Sequence, residues 1–228
     1  GPGFLVNRVL FSYLDEAVRL VLDGVSVSDV DREAKRFGLP MGPLELMDTV
    51  GLDIAADVAS TLSVLDTESS PTAEFLNQLL REGRKGQKSG SGFYTYPKGK
   101  RGAVADLQFV PNPGAKQVSS KRIGDETFSG VQLRLVGSLI NAAAQTLSAG
   151  IVREPWMVDL GMVLGTGFPP FRGGPLRLAE TWGYDVVCQV LKELAETLGP
   201  RFTPDPWLTN DRTRQETTNP ASSTASPR

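Results

Sequence analysis

Residues 42 to 53 read Gly-Pro-Leu-Glu-Leu-Met-Asp-Thr-Val-Gly-Leu-Asp, and residues 174 to 185 read Gly-Pro-Leu-Arg-Leu-Ala-Glu-Thr-Trp-Gly-Tyr-Asp. A shift of 132 positions carries Gly42, Pro43, Leu44, Leu46, Thr49, Gly51 and Asp53 onto identical residues, and Asp48 onto Glu180. Pro43 and Pro175 suit the first position of a helix, where the missing N–H has no partner to lose and φ is already set. Gly51 and Gly183 suit its end. One such stretch is only a short punctuated helix. Two of them, ungapped, make the chain two copies of one helical unit.

Apolar spacing extends the duplication. Val6, Leu10, Tyr13, Leu14, Ala17 and Val21 recur at steps of three and four, which predicts an amphipathic helix over 5–23, stopped by Gly24. Leu133, Val136, Ile140, Ala143, Leu147 and Ile151 form a second helical stripe that matches the first helix at a shift of 126, with Gly150 in the place of Gly24. Ser28-Asp29-Val30-Asp31 reads as the capped start of a helix that runs to Phe37 and stops at Gly38. Further helices are predicted through Ile54, Val58 and Leu62, and from Ser70-Pro71 with Phe75, Leu76, Leu79 and Leu80 inward. Others start at Pro155 and span 185–198, the last with Val186, Val190, Leu191, Leu194 and Leu198 inward. The turn from Gly165 to Gly174 is expected to bury Phe168 and Phe171.

The fold class that follows is all-α: two duplicated helical units packed as an intramolecular pseudo-dimer, with one short extended segment near 92–96. The expected boundaries are 1–96 for the first unit, 97–126 for a linker rich in Lys, Gly, Pro and Ser, and 127–208 for the second unit. In the tail, 209–228, the only apolar residues are two alanines, too little to offset the entropy of ordering it, so disorder is expected there.

A net charge of −2 argues against a dedicated nucleic-acid binder. No apolar run approaches the ~20 residues that span a bilayer, so no membrane span is expected. The single cysteine, Cys188, permits no internal disulfide and fits a reducing, cytoplasmic setting, or the corresponding organelle in a eukaryote. The chain has no histidine, so an imidazole acid–base step must be supplied from elsewhere. It begins with Gly1 rather than methionine, which points to a fragment, a processed product or a trimmed chain.

Residues 83–96, Gly-Arg-Lys-Gly-Gln-Lys-Ser-Gly-Ser-Gly-Phe-Tyr-Thr-Tyr, are glycine-rich and then alternate aromatics with a small polar residue. A phosphate-cradling loop is one reading, but the spacing is neither that of a P-loop nor Gly-x-Gly-x-x-Gly. A solvated basic loop that docks Phe93 and Tyr96 on the core is the favoured one.

Three stretches of the first copy resemble the C-terminal domain of 3-hydroxyacyl-CoA dehydrogenases: Gly-Phe-Leu-Val-Asn-Arg (3–8), Pro-Met-Gly-Pro-Leu-Glu-Leu-Met-Asp-Thr-Val-Gly-Leu-Asp (40–53) and Lys-Ser-Gly-Ser-Gly-Phe-Tyr-Thr-Tyr (88–96). The second copy, with Gly-Ile-Val-Arg (150–153) and Gly-Thr-Gly-Phe-Pro-Pro-Phe-Arg-Gly-Gly-Pro (165–175), resembles the tandem copy of multifunctional fatty-acid oxidation proteins. The resemblance implies a 6-phosphogluconate-dehydrogenase C-terminal-like fold and a part in the NAD-dependent oxidation of a (3S)-3-hydroxyacyl-CoA. It implies as partners that substrate and an upstream Rossmann domain, which would carry NAD and the catalytic His–Glu pair. This chain alone is then expected to be inactive.

The resemblance also assigns Asn7 a catalytic and substrate-binding place near the substrate's C3 oxygen. A neutral amide can donate to an oxygen that gains negative character. On residue type alone a helix N-cap is the favoured reading of Asn7, but the apolar stripe already includes Val6, which places Asn7 inside the first turn rather than before it. In the second copy Leu133 stands opposite Asn7, while Arg134 answers Arg8, so that copy is expected to be structural. Where the multifunctional branch commonly has a substrate-contacting tyrosine, this chain has Leu164. Single-copy relatives dimerise through this domain, so a tandem chain is expected to be a monomer with an internal pseudo-two-fold. The rival readings are a non-catalytic helical interaction module of the same fold, or a dehydrogenase of another 3-hydroxy substrate.

Overall fold

A computed structural model describes residues 2–63 and 71–210. These fold into α1 (Pro2–Leu22), α2 (Val27–Phe37), α3 (Pro43–Val50), α4 (Leu52–Ser63) and α5 (Pro71–Arg81). A two-stranded hairpin follows, β1 (Lys121–Ile123) and β2 (Glu126–Phe128), paired antiparallel with Lys121 opposite Phe128. After it come α6 (Gly130–Ser148), α7 (Pro155–Thr166), α8 (Pro175–Trp182), α9 (Tyr184–Leu198) and the single turn α10 (Pro206–Thr209). The fold is all-α, and no described helix is long and apolar enough to cross a membrane. The chain divides into two compact units: Tyr13–Ala115, and Gly1–Ser12 together with Lys116–Arg228.

In the unit Tyr13–Ala115, the second half of α1 is buried on more than one side. Val18, Leu20 and Glu16 are buried along with Tyr13, Leu14, Ala17 and Val21 of the predicted stripe. α2 starts earlier than its sequence suggests, because Ser26 is the cap and its hydroxyl accepts the Asp29 N–H at 3.1 Å. α3 begins at Pro43 and stops at Gly51, as the repeated punctuation predicts. In α4, Leu52, Ala55 and Ala56 face the core and Ile54 is exposed. The predicted cap at Ser70 and the side chain of Leu62 lie outside the described residues. In α5, Phe75, Leu76 and Leu79 are buried.

Beyond α5 the chain folds back as an arm that buries Phe93, Tyr94 and Tyr96. The following stretch, polar in composition, is tied to this arm by backbone hydrogen bonds. Thr95 N–H donates to Ala103 O and Ala105 N–H to Phe93 O, both at 2.9 Å, and Asn112 N–H donates to Leu22 O at 2.7 Å. The Phe109 ring meets Phe75 edge-on at 5.3 Å. Backbone pairing needs no apolar period, which is why residues 97–112 read as linker by composition alone.

In the other unit, α6 opens with a capping box between Ser129 and Gln132 and buries Leu133, Val136, Ile140, Ala143 and Leu147. Ile151 falls past its end. Two inward assignments are corrected. Val187, not Val186, turns to the core of α9, because it lies three and four residues before the buried Val190 and Leu191 and so shares their face. Phe168 is buried but Phe171 is 75% exposed, its ring beside the Arg172 guanidinium at 5.0 Å rather than in the core. The described end of the chain is anchored by Trp207 and Leu208, both buried. Asn141 on α6 holds that segment, accepting from Asp205 N–H and donating to Thr203 O, both at 2.9 Å. The expected disorder of the tail concerns residues 211–228, outside the described range, while Thr209 and Asn210 are exposed.

Candidate functional site

The duplication reaches into the polar interior. Asp31 on α2 accepts Leu44 N–H at 2.9 Å and Glu45 N–H at 3.1 Å, so a buried carboxylate caps the start of α3. Asp159 on α7 does the same for α8, accepting Leu176 N–H at 2.8 Å and Arg177 N–H at 3.1 Å. Gly42 and Gly174 are therefore glycines for a steric reason: a Cβ at either would collide with the Asp31 or Asp159 side chain. Neither carboxylate was singled out as a cap from sequence. The signal was present in Val30-Asp31 and Val158-Asp159, which correspond at a shift of 128 rather than 132.

Asp48 shows where the copies differ. It is fully buried and accepts Phe93 N–H and Tyr94 N–H at 2.9 Å and the Tyr96 hydroxyl at 3.0 Å. Tyr94 also donates its hydroxyl to Asp31 at 2.8 Å, which joins the two carboxylates into one network. A Cβ on Gly92 would collide with Asp48. Burial pushes the Asp48 carboxyl up to about 6 despite its three donors, and the Asp31 charge adds to the rise. Burial likewise raises Asp31, and takes Asp159 to about 6. Both tyrosine hydroxyls are held protonated, by burial first and by the adjacent carboxylates second. Glu180, the counterpart of Asp48, is exposed and pairs with Arg177 on its own helix. The arm is thus a feature of the first copy.

The same contacts bear on the glycine-rich loop. Gly86 N–H donates to Ser91 O, Ser89 N–H to Gly86 O, Gly90 N–H to Gln87 O, Gly92 N–H to Tyr94 O and Lys85 N–H to the Ser89 hydroxyl. Lys88 is paired with Asp53 at 2.6 Å, and Arg84 reaches Glu82 and the Asp106 carbonyl. These donors are committed to the loop itself and do not form a phosphate cradle. The backbone donors named in this loop are therefore not free to seat the pyrophosphate of NAD.

Asn7 lies on α1, five residues past its first residue Pro2, and is exposed. An N-cap precedes the first helical residue, so this position cannot serve as one. Val6, its neighbour, is seated on small residues of α7. A methyl at Gly165 would stand 3.1 Å from Val6 Cγ1, and one at Gly161 3.4 Å from Val6 Cγ2. The two backbones approach closely there because α7 carries no side chain at either point. Leu133 and Arg134, the counterparts of Asn7 and Arg8, are both buried within α6. Among the described residues no group of three His, Cys, Asp or Glu side chains is placed to hold a metal ion.

The family model for the 3-hydroxyacyl-CoA dehydrogenase C-terminal domain matches residues 3–96 and again residues 131–219. The fatty acid oxidation complex subunit alpha of Shewanella sp. (strain MR-7) is 36% identical over 208 residues, which are 91% of this chain and 29% of that protein. The protein of the same description from Idiomarina loihiensis is 37% identical over 208 residues, again 91% of this chain and 29% of the relative. The chain thus spans under a third of the length of these relatives. The crystal structure of 3-hydroxybutyryl-CoA dehydrogenase from Escherichia coli K12 shares the fold, with a TM-score of 0.72 at 22% identity over 96% of this chain and 61% of that one. The dehydrogenase part of multifunctional enzyme 1 from C. elegans does so with a TM-score of 0.64 at 22% identity, covering 92% of this chain and 47% of that one. With both halves matched in order by one domain model, the chain belongs to the 3-hydroxyacyl-CoA dehydrogenase C-terminal domain family, of which it carries two copies.

Proposed function

We propose that this chain is the substrate-completing and assembly half of an NAD-dependent (3S)-3-hydroxyacyl-CoA dehydrogenase of fatty-acid β-oxidation, with Asn7 as its contribution to the active site. The observation that carries the reading is the placement of Asn7. A primary amide is exposed on a helix interior, at a close crossing of two helices, where it does no capping work. Its N–H is suited to donate to the C3 oxygen as that oxygen loses its proton, and it does so without becoming charged. The rigid seat of Val6 on Gly161 and Gly165 would hold the amide in position.

NAD and the proton acceptor belong, in this reading, to a Rossmann domain outside these residues, because the chain has no histidine and its glycine-rich loop is internally bonded. The second copy adds no donor at the corresponding position, where Leu133 is buried. Its role is structural toward the reacting atoms. The chain is proposed to act on 3-hydroxyacyl-CoA only when joined to such a domain, and by itself to be a monomer.

The test is an assay of the isolated chain with NAD and a 3-hydroxyacyl-CoA, before and after a family Rossmann domain is supplied. No turnover alone and turnover on reconstitution are expected. Turnover by the repurified chain alone would overturn the reading. A reconstituted complex with no turnover would favour the non-catalytic interaction module.

A further inference from the structure

The arm of the first copy carries charge of one sign. Residues 83–102 hold Arg84, Lys85, Lys88, Lys98, Lys100 and Arg101, six of the chain's 24 basic side chains, and none of its 26 acidic ones. Where the arm passes α2, Arg101 meets Arg32, Lys35 and Arg36 around an open cavity of about 600 Å³, which Tyr94 and Val104 also line. Spacings of three and four residues put the α2 cations on one helix face.

The ordinary fate of such a face is a solvated set of ion pairs, and the pairing here falls short of one. Lys35 Nζ at 2.8 Å and Arg101 Nη1 at 2.6 Å donate to the same oxygen of Glu45, so one negative charge serves two positive ones. Glu33 is also divided, at 3.0 Å from Arg36 and 3.8 Å from Arg32, while Asp29 pairs with Arg32. Asp31, on the cavity wall, has its oxygens engaged by Leu44 N–H, Glu45 N–H and the Tyr94 hydroxyl. The Arg101 guanidinium is held over the Tyr94 ring at 4.9 Å and has donors beyond the one given to Glu45. A cation already held in place loses less freedom when an anion docks. The fold does not ask for these charges. A shift of 128 puts Leu160 and Val163 of α7 where α2 has Arg32 and Lys35.

We propose that this cavity binds the phosphate groups of a soluble phosphate ester of nucleotide size. Guanidinium forks and an ammonium in one place suit a multiply charged phosphate, which takes two N–H groups from one fork, better than a lone carboxylate. The volume lies in the range of small organic ligands and exceeds what inorganic phosphate fills. Val104, exposed beside the cations, gives the organic body an apolar contact. A free nucleotide and the nucleotide end of coenzyme A share this chemistry. The proposal does not rest on Asn7 or on turnover.

The test is calorimetric binding of ADP, coenzyme A and inorganic phosphate to this chain at low salt. The better of the two esters is expected to bind roughly tenfold or more tighter than inorganic phosphate, and to weaken as salt rises. Tighter coenzyme A would show that its additional phosphate is read, and equal affinity that a free nucleotide suffices. Arg101→Gln and Arg36→Gln, both at exposed side chains, should each weaken the binding roughly tenfold or more, as the loss of a charge-assisted contact does. Arg122→Gln, the same charge change at an exposed arginine of β1, should leave it unchanged. If one cavity variant does not fold, the other decides. Absence of binding by both esters at millimolar concentration would overturn the proposal. So would an affinity no better than that of inorganic phosphate, or one that survives the cavity variants, because the ester would then be held elsewhere.

Discussion

Buried polar groups in this protein fall into two kinds, and they respond to change in opposite directions. The Tyr13 hydroxyl is buried with no hydrogen-bond partner among the described residues, and burial followed by the charge of Asp31 keeps it protonated. Tyr13→Phe removes an unsatisfied donor at no cost in volume, so it should leave stability unchanged or raise it by about 1 kcal/mol. A loss of that size in urea unfolding would show that the hydroxyl has a partner. Asp48 is the other kind, with every contact donating to it. Its carboxyl titrates at about 6 when folded against an ordinary 3.8, so the folded state binds the extra proton between those values. The contribution of Asp48 to stability is therefore greatest below the unfolded value and is lost as pH rises through about 6. Between pH 7 and pH 5 the wild type should gain on the order of 1–2 kcal/mol relative to Asp48→Asn. A parallel pair of stability profiles would contradict this.

Among the elements, those announced by side-chain pattern were legible. α3 and α8 follow from Pro43 and Pro175 with Gly51 and Gly183, and α1 and α6 follow from their apolar stripes. The caps from Asp31 and Asp159 were visible only to a comparison that allows the shift to change from 132 to 128, since the loops before the repeated helix differ in length. The arm was half legible: Phe93 and Tyr96 marked it, but its clasp depends on backbone N–H groups finding Asp48, and residue types do not display that. The exposure of Phe171 and Val186 was not legible, because an apolar residue at a helix edge or turn is compatible with either side. Asn7 was legible only through resemblance. Gly92→Ala should release the arm, since a Cβ there collides with the carboxylate that holds it. Limited trypsin treatment is expected to cut first at Lys85, Lys88 or Arg101 in the variant, with the helical signal retained. A digestion pattern identical to wild type would show that the arm accommodates the methyl.

At the scale of the whole molecule, duplication followed by divergence organises what each copy does. Both copies keep the carboxylate cap, the glycine beside it and the proline-started helix. The first adds the arm on Asp48, while the second ends on Trp207 and Leu208. Trp207→Ala should cost about 3–5 kcal/mol, the usual loss for a fully buried large aromatic, measured as a fall in the unfolding midpoint. A shift under 1 kcal/mol would mean the end segment is not part of the core. The central claim, that the chain completes an active site through Asn7, is tested most directly by the kcat of Asn7→Ala in this chain joined to a family Rossmann domain. Removal of one donor to a developing oxyanion is expected to lower kcat by roughly ten- to a thousandfold, with the unfolding midpoint of the chain unchanged. An unchanged kcat would contradict the assignment.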